Sequence, residues 1–571
     1  MFLALVFCHY FYVKIQQMKL DTYTDSKFLW RFVVGLALIV YFVGMLVTIM
    51  EIDGAVYAEI SREMSENGKY LEILYKGNDW LDKPHFQFWF TAVTFKLFGS
   101  GNFTYKLPAV LFMLLGAYYT YLFGRKFYSR KHGYLAAMLL MTSQHIITSN
   151  SDVRVEPYLT GLTIFSLYYL AIYLNERKFY QMVLGSAGLA CLLMTKGLYT
   201  IIPVASGLGL SMLYEKKWKQ ILNWQWIGVV ALILLFIAPT IYGYYQQFDL
   251  HPEKVLFGET NISGIKFFLW DSQWGRFTNT GPIKGAGDPT FFLHTMLWAY
   301  MPWAFLAYFA LYIKGKKLLQ RKNSTESYTF FGFVFLFIVF SLSRFQLPHY
   351  LNALFPLLSI VTADVLVRFA KNRTFLSVFN HVHLWSSVLL VLAVILLHII
   401  FSDQFPKADV FFVFFIGMFL IVKLWIVRGH KLKKLIFIPA ITILMVNYYI
   451  NRSFYPKLLG YQAESEVVHY MRSHELEEDQ LVTLGMREDM VSFMQKRIVP
   501  LYDLESVEVE NLHGKFVFTN REGIIRIHEL NLIYEELKSF PDFRITTLNG
   551  TFLNKKTREK ELEMKYLLKV R

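Results

Sequence analysis

Cysteine is nearly absent from this chain: two in 571 residues, Cys8 and Cys191, both in apolar surroundings. A disulfide framework is therefore excluded as the organising device. Charged residues are scarce as well, at 18%, where soluble globular domains carry about 25%. There is no GxxxxGK[ST] loop, no GxGxxG after a strand and no Cys/His cluster at metal-ligand spacing, so nucleotide chemistry is not indicated. The first 17 residues lack a basic n-region and a small-residue cleavage site, which argues against a signal peptide; Met18 reads as a more natural start, and a short interfacial helix over 1–17 is the alternative.

What the chain has instead is apolar length. Hydrophobic residues make up 55% and aromatics 18%. Runs near 28–50, 104–124, 133–149, 157–174, 179–194, 198–214, 225–243, 291–313, 328–343, 347–369, 383–401, 408–427 and 433–450 predict about thirteen transmembrane helices in one polytopic α-helical membrane protein. The runs at 179–194, 198–214 and 328–343 are short, which suits tilted or re-entrant segments.

The net charge of +15 follows this organisation rather than a polyanionic partner. Basic clusters fall at every second connection: Arg125 to Lys131, Arg177 and Lys178, Lys216 to Lys219, Lys314 to Lys322, Arg368 to Arg373, and Arg428 to Lys434. That alternation is the positive-inside pattern, so no nucleic acid is implied. It leaves residues 1–27 inside, and puts loop 51–103, loop 244–290 and the tail 456–571 together outside. The tail alternates charge with short apolar patterns and predicts a small soluble α/β domain. Helices are expected over "AESEVVHYMRSHEL" and "LNLIYEELKSF", and strands over "QLVTLGM", "GKFVFTN", "DFRITTLNG" and "KYLLKVR".

Several outer stretches carry ionisable residues against apolar runs, a costly placement that marks functional candidates. In "EIDGAVYAEISREMSENGKY", Val56, Ile60 and Met64 recur at helical spacing and Asn67-Gly68 is a stop signal, so an amphipathic helix along the outer membrane surface is expected. There Asp53 is either a helix cap or a functional carboxylate, and Glu59, Arg62 and Glu63 form a solvated face. In "NDWLDKPHFQFWF", Asp82 and Lys83 are either interface anchors or a phosphate site. Asp152, Arg154 and Glu156 fill a short outer connection, either as ion pairs or as functional groups. Lys196 is a lone cation at a helix end, with snorkelling as the bland alternative. The loop 244–290 adds Asp271, Arg276 and Lys284 near Trp270 and Trp274, and "SLSRFQLPHYLNALFP" adds Arg344, His349 and Tyr350. Their joint placement on one face concentrates carboxylates and cations around one outer cavity.

Taken in order, "DGAVYAEISREM", "DKPHFQFWFTAVTFKLFG", "TKG" and "SLSRFQLPHYLNALFP" resemble the polyprenyl-phosphate-sugar glycosyltransferases of C-type (GT-C) architecture, over roughly residues 28–360. The resemblance implies inverting transfer from an undecaprenyl-phosphate-linked sugar to a lipid A, glycan or protein acceptor, at the periplasmic face of a bacterial inner membrane. It implies Asp53 and Glu156, less so Asp152, as the catalytic acids, and Lys83 and Arg276 as donor-phosphate ligands. It makes His349 or Tyr350 the aromatic of the Leu-Pro turn. The family's metal-holding pair falls at Asp82 and Asp271, a set that suits a hard divalent cation over zinc. A flippase or transporter of lipid-linked glycans is the alternative. It predicts ionisable residues near the bilayer midplane, whereas here they gather at one face.

Overall fold

The computed structural model describes residues 26–50, 52–278, 284–322, 325–427 and 429–571. The sequence readings on residues 1–25 and on Arg428 lie outside that set. Every apolar run in the described residues is helical, but the helices differ in length and continuity. Among the described residues, eight are long and apolar enough to cross a membrane, including Asn102–Phe127, Glu156–Glu176, Pro348–Arg368 and Arg373–Phe401. Others are broken: the run near 133–149 divides into Arg130–Met141 and Gln144–Thr148, and that near 291–313 into Phe291–Ala299 and Ala304–Leu319.

Two kinds of long helix emerge. Glu156–Glu176 and Pro348–Arg368 are 83% and 89% buried over their apolar windows, whereas Arg373–Phe401 and Ala408–Ile426 are only 17% and 22% buried. The second pair exposes Leu389, Leu396, Phe411 and Phe415, surface of a kind that lipid covers. The first pair forms the centre. Glu156–Glu176 reaches backbone contact with Asn102–Phe127 because two glycines face each other. A Cβ on Gly116 would meet the Gly161 Cα at 3.1 Å, and one on Gly161 would meet the Phe112 carbonyl oxygen at 2.2 Å. This approach fixes the helix that begins at Glu156.

The segments that the charge pattern groups outside meet one another. Gln247 accepts from the Ile73 N–H at 2.9 Å and donates to the Ile73 carbonyl at 2.9 Å, and Lys254 pairs with Asp79 at 2.9 Å, joining loop 244–290 to loop 51–103. The tail joins them through Arg62, which donates to the Lys496 carbonyl at 3.1 Å, and through Lys76, which pairs with Glu488 and lies 3.7 Å from Asp489.

The tail holds a five-stranded mixed sheet in the order Leu501–Tyr502, Leu481–Leu484, Phe516–Thr519, Glu563–Val570, Tyr534–Asp542. The expected strands at 481–484, 516–519 and 563–570 are present, as is the helix Ala463–Ser473. Two expectations fail. "LNLIYEELKSF" leads into the strand Tyr534–Asp542, because antiparallel pairing with Glu563–Val570 overrides its helical spacing, with a bulge at Glu536/Lys538. "DFRITTLNG" turns into a 3₁₀ segment, Ile545–Thr547, and a short helix, Gly550–Leu553, capped by the Asn549 side chain.

Candidate functional site

Helix Asp53–Asn67 begins the site. Gly68 ends it in the left-handed region, φ 68°, donating to the Met64 carbonyl, as the Asn-Gly signal predicts. Its start differs from a capped helix: Ile52 occupies the cap position at φ 70°, and no side chain caps the N-terminus. A β-branched residue there is strained, and Asp53 is held immediately beyond it. The Asp53 carboxylate reaches away from its own helix and accepts from Arg154 Nη1 at 2.8 Å, so the capping reading is set aside. Arg154 is also 3.6 Å from Asp152.

The rest of this helix corrects the expected surface position. Residues 54–64 are all buried, and Glu59, Arg62 and Glu63 are 0%, 2% and 4% exposed, so they form no solvated face. Arg62 Nε donates to Glu59 at 2.9 Å and the guanidinium also pairs with Glu66. Glu63 accepts from the backbone N–H of Gly77 at 2.9 Å and from that of Lys76. Burial nonetheless pushes the Glu63 carboxyl up, the backbone donors offsetting part of that rise. The helix lies between the outer loop and the tail, not on a lipid surface.

Glu156 opens the central helix and is 2% exposed. Lys196 Nζ donates to it at 2.6 Å, His349 Nε2 stands 3.6 Å from the same oxygen, and the Lys196 ammonium lies 4.4 Å from the centre of the Tyr350 ring. Lys196 is thus locked inside by a carboxylate and an aromatic face, and snorkelling does not describe it. Lys83 pairs with its neighbour Asp82.

One cavity of about 120 Å³ is lined by Asp53, Tyr57, Asp82, Lys83, Arg154 and Glu156, and by Lys196, Phe345, Leu347, His349 and Tyr350. Five separate stretches of sequence therefore converge. Tyr57 was missed by sequence reasoning, although it lies four residues beyond Asp53 and so on the same helical face. Burial, with Asp53 and Asp82 nearby, holds its phenol well above the ordinary range, leaving it a hydrogen-bond donor.

A second cavity of about 450 Å³ adjoins the first and shares Phe345 and Tyr350 with it. Its lining is almost wholly apolar, from Leu198, Tyr199, Ile202, Leu269, Trp270, Trp274, Phe277 and Phe340 among others. Trp270 and Trp274 stack at 5.6 Å. Arg276 lies on the same short helix, Ser272–Thr278, as Trp274 and Phe277. The structure does not bring every candidate to the polar cavity: Asp152 reaches it only through Arg154, and Arg344 is exposed, its backbone N–H 3.4 Å from the Phe277 carbonyl. Lys284 and Asp271 also lie outside its lining.

The residues suggested for a metal do not fit one as they stand. Asp82 is engaged by Lys83, and Asp271 faces Lys266 at 3.5 Å. An ammonium on each carboxylate competes for the oxygens a hard cation would take. Among the described residues, no three His, Cys, Asp or Glu side chains form a ligating group.

Residues 82–242 match the family described as dolichyl-phosphate-mannose-protein mannosyltransferase. An uncharacterized protein of Aquifex aeolicus is 23% identical over 61% of this chain and 64% of its own length. The undecaprenyl phosphate-alpha-4-amino-4-deoxy-L-arabinose arabinosyl transferase 1 of Pseudomonas fluorescens Pf-5 is 27% identical over 58% of each chain. The chain thus spans about three fifths of the curated relatives it matches. In three dimensions the likeness is nearly complete. The crystal structure of ArnT from Cupriavidus metallidurans bound to undecaprenyl phosphate superposes with a TM-score of 0.71 at 17% identity, covering 94% of this chain and 97% of that one. The apo form of the same protein gives 0.70. The resemblance carried by the motifs is borne out: this chain has the fold of ArnT and is related in sequence to the polyprenyl-phosphate-sugar glycosyltransferases.

Proposed function

We propose that this protein is an inverting glycosyltransferase that takes its sugar from a polyprenyl-phosphate carrier at the outer face of a bacterial inner membrane. The observation that carries this reading is the pairing of cavities: a small, charged one meets a larger, apolar one at Phe345 and Tyr350. An amphiphile with a phosphate-linked sugar head and an isoprenoid tail fits that pairing. The match to mannosyltransferases that use dolichyl phosphate, and the undecaprenyl phosphate bound by the Cupriavidus protein, support it. About thirteen spans, with the outer loops and the tail on the periplasmic side, complete the proposed topology.

In this mechanism Lys83 holds the carrier phosphate and stabilises the charge that develops as it leaves. Arg276, on the same short helix as Trp274 and Phe277, is the second phosphate ligand. The acceptor oxygen attacks the anomeric carbon from the face opposite the phosphate. The C1–O bond to phosphate breaks and its electron pair stays on the carrier. Asp53, tethered by Arg154, orients the acceptor and takes its proton when the acceptor is a hydroxyl. A phosphate acceptor needs no base, and there Asp53 acts by position alone. Glu156 lines the same cavity, bonded to Lys196 at 2.6 Å and 3.6 Å from His349, so it sets their positions and the electrostatics felt by the sugar. Lipid A, another glycan or a protein hydroxyl remain the acceptor classes.

The experiment is to supply purified protein in liposomes with undecaprenyl-phosphate-linked sugar, radiolabelled in the carrier, together with a lipid A-containing extract. Release of free undecaprenyl phosphate with glycosylation of the extract is expected. Donor that crosses the bilayer intact, without release, would replace this reading by transport.

A further inference from the structure

A third cavity lies at the opposite end of the helices from the catalytic one. Glu156–Glu176 and Pro348–Arg368 begin at the polar cavity and run away from it, and the connections at their far ends are basic. There a concavity of about 990 Å³ is lined by Arg130, Lys131, Lys371, Arg373, His430 and Lys431, drawn from three connections far apart in sequence. Its floor is apolar, made by Trp30, Tyr134, Leu376, Ile436 and Phe437 among others. Trp30 meets Tyr134 at 6.0 Å and Phe437 at 5.5 Å, and Arg130 lies over the Tyr134 ring. No carboxylate is in the lining.

Positive charge at this end of the molecule satisfies the topological rule by itself. In the other clusters at the same end several cations are neutralised by carboxylates, while Lys216 and Lys219 stand exposed without an apolar, aromatic floor beside them. Lys126 and Lys178 both pair with Glu176, at 2.6 and 3.4 Å, and Lys217 pairs with Glu215 at 2.6 Å. Lys314 is buried within 3.7 Å of Glu326 and 3.8 Å of Asp364, which also takes Arg368. In the cavity, by contrast, Arg130, Lys131, Lys371, Arg373 and Lys431 are exposed, and among the described residues no carboxylate pairs with them. Five such cations around an apolar, aromatic floor are complementary to a phosphodiester anion carried on acyl chains.

We propose that this cavity binds the headgroup of an anionic phospholipid from the inner leaflet, with the acyl chains on the Trp30–Tyr134–Phe437 floor. The site is independent of the catalytic cavity and of the transfer reaction. Arg130 and Arg373 supply planar forks for the phosphate oxygens, and the lysines supply compact charge around them. The floor excludes water from the glycerol end, which strengthens those contacts.

Native mass spectrometry of the full chain in a neutral detergent tests this. The probes are dioleoyl-phosphatidylglycerol and dioleoyl-phosphatidylcholine. The unaltered protein is expected to retain the anionic lipid at concentrations at least about tenfold lower than the zwitterionic one. The Arg130→Gln/Lys371→Gln/Arg373→Gln variant is expected to lower anionic retention by roughly 100-fold, from the loss of three charges near the lipid, and to leave phosphatidylcholine unchanged. A Lys216→Gln/Lys217→Gln/Lys219→Gln variant removes as much charge at the same end and is expected to change neither. Equal retention of the two lipids by the unaltered protein overturns the proposal, even if the cavity variant proves unstable. So does unchanged anionic retention in a folded cavity variant. Displacement of the lipid by equimolar inorganic phosphate also overturns it, since the floor would then contribute nothing.

Discussion

The start and the middle of helix Asp53–Asn67 carry the same kinds of residue and use them in opposite ways. At its start the Asp53 side chain is 43% exposed to the polar cavity and is tied to an arginine from another stretch, Arg154. Two turns on, the Glu59 and Arg62 side chains are 0% and 3% exposed and tied to each other within one helix. An acid that keeps its exposure while a distant cation steers it is arranged for a ligand. An acid sealed with its neighbour is arranged for the fold. The contrast separates the charge proposed for catalysis from architectural charge in a segment whose composition does not.

The sharpest break of that contrast is Asp53→Ala. Activity is expected to fall by about 10²- to 10⁴-fold, the range for removing a positioned base, while the thermal midpoint in detergent stays where it was. The mirror experiment is Arg62→Met, which strands the buried Glu59. Removing one partner of a sealed ion pair costs about 3–5 kcal/mol, so the thermal midpoint is expected to drop steeply, with turnover per folded molecule unchanged. If the two variants exchange phenotypes, the division of the helix is wrong.

A smaller effect is expected where the tail docks. Lys76→Ala leaves Glu488, whose side chain is fully buried, without its cation, at a cost of about 1–3 kcal/mol. Limited proteolysis should then release the tail earlier than in the parent, and equal digestion would deny that this contact holds the tail in place.

The smallest effect is a pH dependence in the tail. Burial raises the Glu464 carboxyl to about 8, only partly opposed by the Met490 backbone N–H it accepts from at 2.7 Å. A raised carboxyl means the folded state holds its proton more tightly than the unfolded one, so stability falls as pH rises from the ordinary carboxylate range towards 8. Glu464→Gln, which has no proton to lose, is expected to gain thermal stability over the parent at pH 8 but not at pH 5. A gain that is the same at both values would contradict this.

Much of the site was legible in the sequence because membrane energetics makes charge conspicuous. Asp53, Lys83, Arg154, Glu156, Lys196, His349 and Tyr350 stood out as ionisable or aromatic groups at apolar boundaries, and all of them line one cavity. What sequence could not supply was partnership. Lys196 at a helix end reads as a snorkelling side chain until Glu156, forty residues earlier, is seen to face it. The outer helix reads as a lipid-surface helix because Val56, Ile60 and Met64 form one apolar stripe. Its polar face is buried by the tail, which joins it from more than four hundred residues away. Local spacing also misled over Tyr534–Asp542, where the ladder to Glu563–Val570 decides the conformation. Long-range contacts account for each of these differences.

The central claim is that the small polar cavity holds the phosphate of a lipid-linked sugar and speeds its departure. Single-turnover release of undecaprenyl phosphate from labelled donor, comparing Lys83→Ala with the parent at equal folded protein, tests it most directly. The account predicts a rate at least about 100-fold lower in the variant, the scale of losing one electrostatic stabiliser of the leaving charge. Release by Lys83→Ala at the parent's rate would contradict it.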